Sequence, residues 1–82
     1  INDTGDDRNN ITSSDAVVLI VEDDLRFGKI LVERARMTKL KAVIAMTYLE
    51  VFDFINRFNP IAITLDVKLP DTSGWKAIDL LR

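Results

Sequence analysis

The sequence predicts an α/β fold in which a parallel sheet is laid down in the order β-α-β-α-β-α. Three observations carry that expectation. Residues 17–21 and 61–65 are short apolar runs rich in β-branched residues, too short for helices and apolar enough to be buried strands. The segments between them repeat apolar residues at helical spacing. Each of the two runs ends on acid: Glu22-Asp23-Asp24 after the first, Asp66 after the second.

The first strand is expected over 17–22. Asp24 is a natural N-cap for a helix over residues 25–37, whose apolar positions Phe27, Ile30, Leu31 and Ala35 follow the helical period. Gly28 within it costs about 1 kcal/mol against alanine, which the rest of the pattern outweighs. Residues 41–45 form a short second strand, and Thr47 caps a second helix over 48–58. There Leu49, Phe52, Ile55 and Phe58 share one face, read as core rather than as an aromatic binding surface. Asn59-Pro60 ends this helix, because the residue before proline is pushed out of the α region. The third strand follows over 61–66, and Ser73-Gly74 opens a third helix from Trp75. Strands alternating with helices imply right-handed crossovers and a parallel sheet.

Bulk composition narrows the function. With 82 residues, 48% of them hydrophobic, the chain holds one small domain. Residues 1–15 are mostly Asn, Asp, Thr, Ser and Gly and are expected to be a flexible linker; residues 16–82 form the domain. The chain begins at Ile1, so a piece of a longer protein is expected. No cysteine is present, which excludes disulfides and thiolate metal sites. No histidine is present either, removing the commonest general base and any histidine phosphodonor. No apolar run approaches the roughly 20 residues of a membrane span, and there is no signal pattern, so a cytoplasmic protein without membrane contact is expected. Residues 1–15 carry four acids to one base, −3, and the remainder ten bases to nine acids, +1; neither half offers the basic stripe of a nucleic-acid surface. The Asn-x-Thr triplets at Asn2 and Asn10 would need a secreted context that nothing else supports.

The acids carry the chemistry. Carboxylates at the carboxyl ends of parallel strands stand where open α/β sheets place their ligands. Glu22 and Asp23 beside Asp66 would bring like charges to one rim, a situation relieved by protonation or by a cation. Mg²⁺ suits such a rim, since it prefers oxygen ligands, keeps waters and bridges to phosphate. A carboxylate such as Asp66 can itself attack phosphorus. Pro70 and Gly74 would shape the loop after it, and Lys68 could turn its main-chain carbonyl to the metal with its side chain in solvent.

Val18-Leu-Ile-Val-Glu-Asp-Asp24 and Leu65-Asp-Val-Lys-Leu-Pro-Asp-Thr-Ser-Gly74 together resemble the receiver domain of two-component response regulators, in the spacing of the acid pair, the lone Asp, the Pro four residues on and the Gly eight on. The wording around Asp66 also resembles receivers fused to hybrid sensor histidine kinases. The resemblance runs from about Val17 to Arg82 and implies a flavodoxin-like doubly wound sheet, of which this chain would hold the first three β-α units. It implies that Asp66 is a phosphoacceptor served by a histidine kinase or a histidine phosphotransfer protein. Glu22, Asp23, Asp66 and the Lys68 carbonyl would then hold Mg²⁺, with Asp23 the direct ligand and Glu22 acting through water. The protein would be a signalling domain rather than a freestanding enzyme.

The family has five β-α units in strand order 2-1-3-4-5, with a Ser/Thr after strand four and a Lys after strand five. This chain stops before both, so the resemblance implies acceptor and metal ligands without the groups that relay phosphorylation. If these residues are the whole molecule, the third strand is an exposed edge through which two copies would associate. The alternative is a non-phosphorylated, receiver-like interaction module. A metal-dependent phosphatase fits less well, because such enzymes want a second acid near the nucleophile and Lys68 stands there.

Overall fold

A computed structural model describes residues 4–65. They form β1 (Val17–Val21), α1 (Leu25–Met37), β2 (Lys41–Ala45), α2 (Tyr48–Phe58) and β3 (Ala62–Leu65). All strands are parallel, in the order β2-β1-β3, with Val17 to Val21 in register with Lys41 to Ala45 and Val18 to Val21 with Ala62 to Leu65. This is the doubly wound pattern expected of the sequence, seen through its third strand. The helix expected from Trp75, like Asp66, Lys68, Pro70 and Gly74, lies outside the described residues.

Alternation along the strands sorts the core into two layers. Leu19, Val21, Val43 and Ala45 meet Val51 and Phe54 of α2, while Val18, Ile20, Ala42 and Ile44 meet Val32 and Ala35 of α1. The helices therefore cover opposite faces, and β1, between two strands and two helices, is buried at every position.

Helix ends follow local chemistry. Asp24 caps α1 by accepting from the Arg26 and Phe27 amides at 3.0 and 3.4 Å. At the other end Leu40 N donates to Ala35 O and Lys39 N to Arg36 O, both at 3.0 Å, with Lys39 left-handed at φ 64°: a Schellman close. Thr47 caps α2 through the Glu50 amide at 3.2 Å, and Glu50 in return accepts from Met46 N at 2.8 Å, a variant of the capping box. Asn59, left-handed at φ 47°, ends α2, so the stop comes from a C-cap conformation as well as from the following proline.

Both helices are rotated from the expected faces. In α1 Ala35 is buried and Leu31 packs partly against the core as expected, but Gly28 and Val32 are buried beside them, while Phe27 and Ile30 are 49% and 53% exposed. The reason is close approach: a Cβ on Gly28 would lie 3.1 Å from Ile44 Cδ1, so the bare backbone turns to the sheet and the larger neighbours turn away. In α2 the buried residues are Val51 and Phe54, Ile55 and Phe58 pack partly against the same layer, and Leu49 is exposed. The apolar run of β3 is also only half covered. Ile63 and Leu65 reach the α2 layer, whereas Ala62 and Thr64 are exposed on the other face, because α1 joins β1 to β2 and lies over that pair.

Within residues 1–15, expected from composition to be a linker, Asp6, Asp7 and Arg8 bond to the outer edge of β2. Asp7 N donates to Ala42 O at 2.9 Å, and Asp6 and Asp7, both buried, accept from the Ile44 and Ala42 amides. Polar side chains make this contact, so hydropathy gives no sign of it.

Candidate functional site

The sheet reverses its winding at β1. The chain leaves β1 through α1 to reach β2 on one side, then returns through α2 to β3 on the other. At such a reversal the loops beyond the carboxyl ends diverge and leave a crevice. The loop that enters it from β1 is Glu22-Asp23-Asp24.

These three acids are placed differently. Glu22 is buried, 4% exposed; its amide extends the ladder to Ala45 O at 3.0 Å, and its Oε1 accepts from Asp24 N at 3.1 Å. That bond fixes the turn leading into α1. Asp24 spends one carboxylate oxygen on the helix cap, as the sequence predicted, and its carbonyl accepts the first helical bond, from Gly28 N at 2.9 Å. Asp23 is exposed between them, in the turn before the α1 N-terminus. A carboxylate there is favoured by the unpaired amides of the first turn. Of the three, Asp23 is the one with its charge in solvent and not committed to the cap.

The second half of the expected site approaches through β3. Leu65 is in register with Val21, the residue before Glu22. Asp66, the proposed phosphoacceptor and metal ligand, and Lys68, the proposed carbonyl ligand, lie outside the described residues. Of the proposed metal set, Glu22 and Asp23 are thus the described members. Both are hard oxygen donors on one short loop, a donor type that fits Mg²⁺. Among the described residues, no helix is long and apolar enough to cross a membrane.

The residues that sequence reading missed are Asp6, Asp7 and Arg8, which make the densest polar contacts among the described residues. Asp6 takes Arg8 in a two-pronged ion pair, Nε to Oδ1 and Nη2 to Oδ2, each at 2.9 Å. Burial opposes the charge on Asp6, but the Arg8 guanidinium and the Ile44 and Arg8 amides outweigh it and hold the carboxyl below the usual carboxylate range. The signal available was an Asp-Asp-Arg triplet inside a polar stretch, which reads equally as solvated surface.

No family model matches the sequence, and no curated protein does. Among solved structures, the chain is similar to the signal receiver domain of a protein described as a Luxo repressor, from Vibrio parahaemolyticus, with a TM-score of 0.74 and 30% sequence identity. The match covers 82% of this chain and 52% of that one, so the chain spans about half the length of its structural neighbour. With the strand order 2-1-3 and both crossovers already set by the register of the sheet, that likeness supports a receiver-type fold for this chain.

Proposed function

We propose that the chain supplies the acceptor part of a cytoplasmic two-component phosphorelay, with Asp66 taking a phosphoryl group from a phosphohistidine of a histidine kinase or histidine phosphotransfer protein. The observation that carries this reading is the register of β1 and β3. Val21 is paired with Leu65, so the next residue along each strand is an acid, Glu22 on one and Asp66 on the other. Neighbouring parallel strands lie about 4.8 Å apart, within the span of one hydrated divalent cation between carboxylates.

Asp23, Glu22, Asp66 and the Lys68 carbonyl would hold Mg²⁺, which when bound neutralises the acid rim and the incoming phosphoryl oxygens. In the transfer an Asp66 carboxylate oxygen forms the new bond to phosphorus, and the phosphorus–nitrogen bond to the donor imidazole breaks. The imidazole keeps the bonding pair and takes up a proton, leaving an acyl phosphate on Asp66. Glu22, fixed by the Asp24 amide, is the rigid wall of this site, and Asp23 is the adaptable ligand.

The test is phosphorylation of the protein that carries Asp66. Incubated with Mg²⁺ and a small acyl-phosphate donor, it should gain the mass of one phosphoryl group, and Asp66→Asn should not. Asp23→Asn should need much more Mg²⁺ for the same gain. Modification that survives Asp66→Asn, or none in the parent protein with donor and Mg²⁺ in excess, overturns the assignment; the latter favours the non-phosphorylated interaction module.

A further inference from the structure

β2 is an outer strand of the sheet, and its outer edge is covered by side chains rather than by another strand. In this parallel pairing the amides and carbonyls of Lys41, Val43 and Ala45 face β1, and those of Ala42 and Ile44 face outward. All four outward groups are occupied by three consecutive residues. Asp7 N donates to Ala42 O at 2.9 Å, Ala42 N donates to Asp7 Oδ2 at 3.0 Å, Ile44 N donates to Asp6 Oδ2 at 2.7 Å, and Arg8 Nη2 donates to Ile44 O at 2.9 Å. The triplet is tied to both helices. Asp7 holds Arg36 of α1 at 2.9 Å, and the Arg8 guanidinium lies 5.0 Å from the ring centre of Phe54 in α2.

An exposed edge is a template for pairing with another chain, and proteins blunt such edges with charge, proline or a cover. Here the strand itself carries little of this protection. Residues 41–45 are Lys-Ala-Val-Ile-Ala, with no proline, a single charge at the first position, and Ala42 to Ala45 fully buried. Protection rests on the Asp6-Asp7-Arg8 cover. This cover holds its four bonds through three consecutive residues.

We propose that Asp6, Asp7 and Arg8 form a displaceable cap on the β2 edge, and that the uncapped edge is an interaction surface for the same edge of a second copy. The geometry is self-complementary. An antiparallel pair related by a two-fold axis at Val43 sets Ala42 opposite Ile44 of the other copy and Ile44 opposite its Ala42. Each of these is a hydrogen-bonded pair that exchanges both amide–carbonyl bonds, so the four groups now held by the cap are satisfied again by four backbone bonds. The contact is isologous and therefore closes at two copies. It continues two three-stranded sheets into one, and it leaves the acid loop at the carboxyl end of β1 uncovered.

The experiment compares the intact chain with Asp6→Ala/Asp7→Ala/Arg8→Ala, and with Asn9→Ala/Ser13→Ala as a change in the same segment that leaves the four edge bonds in place. Sedimentation velocity over a range of protein concentrations gives the association constant, and amide exchange at Ala42 and Ile44 gives the site. The triple variant should associate at least about tenfold more tightly than the other two, the equivalent of one or two net hydrogen bonds. Its Ala42 and Ile44 amides should become protected as concentration rises. Equal association by all three proteins overturns the proposal. So does tighter association in which those two amides exchange as freely in the dimer as in the monomer. Should the triple variant lose its fold by circular dichroism, Arg8→Gln carries the test, since it removes the Ile44 carbonyl bond and the ion pair to Asp6. A smaller rise in association with the same two amides protected supports the proposal, and no rise overturns it.

Discussion

Lys39 is the residue where backbone cost is most plainly visible. It closes α1 in a left-handed conformation, φ 64°, so that its own amide reaches Arg36 O and the Leu40 amide reaches Ala35 O. For a residue with a side chain this conformation costs about 1–2 kcal/mol, whereas glycine adopts it freely. Glycine in turn loosens the unfolded chain, which takes back about 0.4–1 kcal/mol. Lys39→Gly should therefore raise stability by a net of about 0.5–1 kcal/mol, measured by urea denaturation with an unchanged m-value. Lys39→Val should lower it, since a β-branched side chain tolerates this region worst. A destabilised Lys39→Gly would mean that the Lys39 side chain contributes more than its backbone strain costs. The opposite use of a special residue is seen at Gly28, where the conformation is ordinary and the absent side chain matters, because Ile44 occupies the space.

Between elements, the contact of residues 6–8 with β2 carries a pH dependence whose sign follows from Asp6. Arg8 faces Asp6 directly, Glu50 of α2 stands 4.0 Å beyond Arg8, and Asp7 beside it holds Arg36, itself paired with Glu33 of α1. Held below the usual range, folded Asp6 binds its proton more weakly than the unfolded chain, where an aspartate titrates near 3.9. Its contribution is complete above that value and is lost as pH falls through the lower folded value. At pH 7 Asp6→Asn should be less stable by about 1–2 kcal/mol, the worth of charge-assisted bonds, and the gap should narrow on going to a pH below the ordinary aspartate value. Urea titrations of both proteins at the two pH values check this; a gap that persists in acid would show that Asp6 acts by shape alone. Nothing in the sequence announced this contact, because an Asp-Asp-Arg triplet in a stretch of Asn, Thr and Ser has the composition of a solvated tail. The extents of α1, β2 and α2 were legible to the residue, since Asp24, Thr47 and Asn59-Pro60 are local signals that act on the backbone beside them. Helix facing was not. Period alone finds Ala35 but also favours the large residues Phe27, Ile30, Leu49 and Phe52, whereas the sheet accepts Gly28, Val32 and Val51, where small or branched side chains allow the closest approach.

Across the whole molecule, the doubly wound order gathers acid at one end of the sheet, and this sets stability against function. Glu22 is buried and Asp24 is spent on the cap, so Asp23 is the exposed charge left uncommitted to the cap at the reversal point of the winding. The register that pairs Val21 with Leu65 makes Asp66 the next residue along β3 in sequence. Like charges on one rim repel when no cation is present, and a cation that binds only the folded state turns that repulsion into stabilisation. In a metal chelator, Asp23→Asn should then be slightly more stable than the parent protein, having lost a charge and no structural hydrogen bond. On adding Mg²⁺ the order should reverse. At a free concentration ten times its Kd the parent should gain about 1.4 kcal/mol, and the variant, with weaker binding, should gain little at the same concentration. Thermal unfolding with and without Mg²⁺ reads both halves of the effect. An Asp23→Asn protein that responds to Mg²⁺ as the parent does would remove Asp23 from the proposed metal shell and leave the exposed acid as a helix-terminal charge alone.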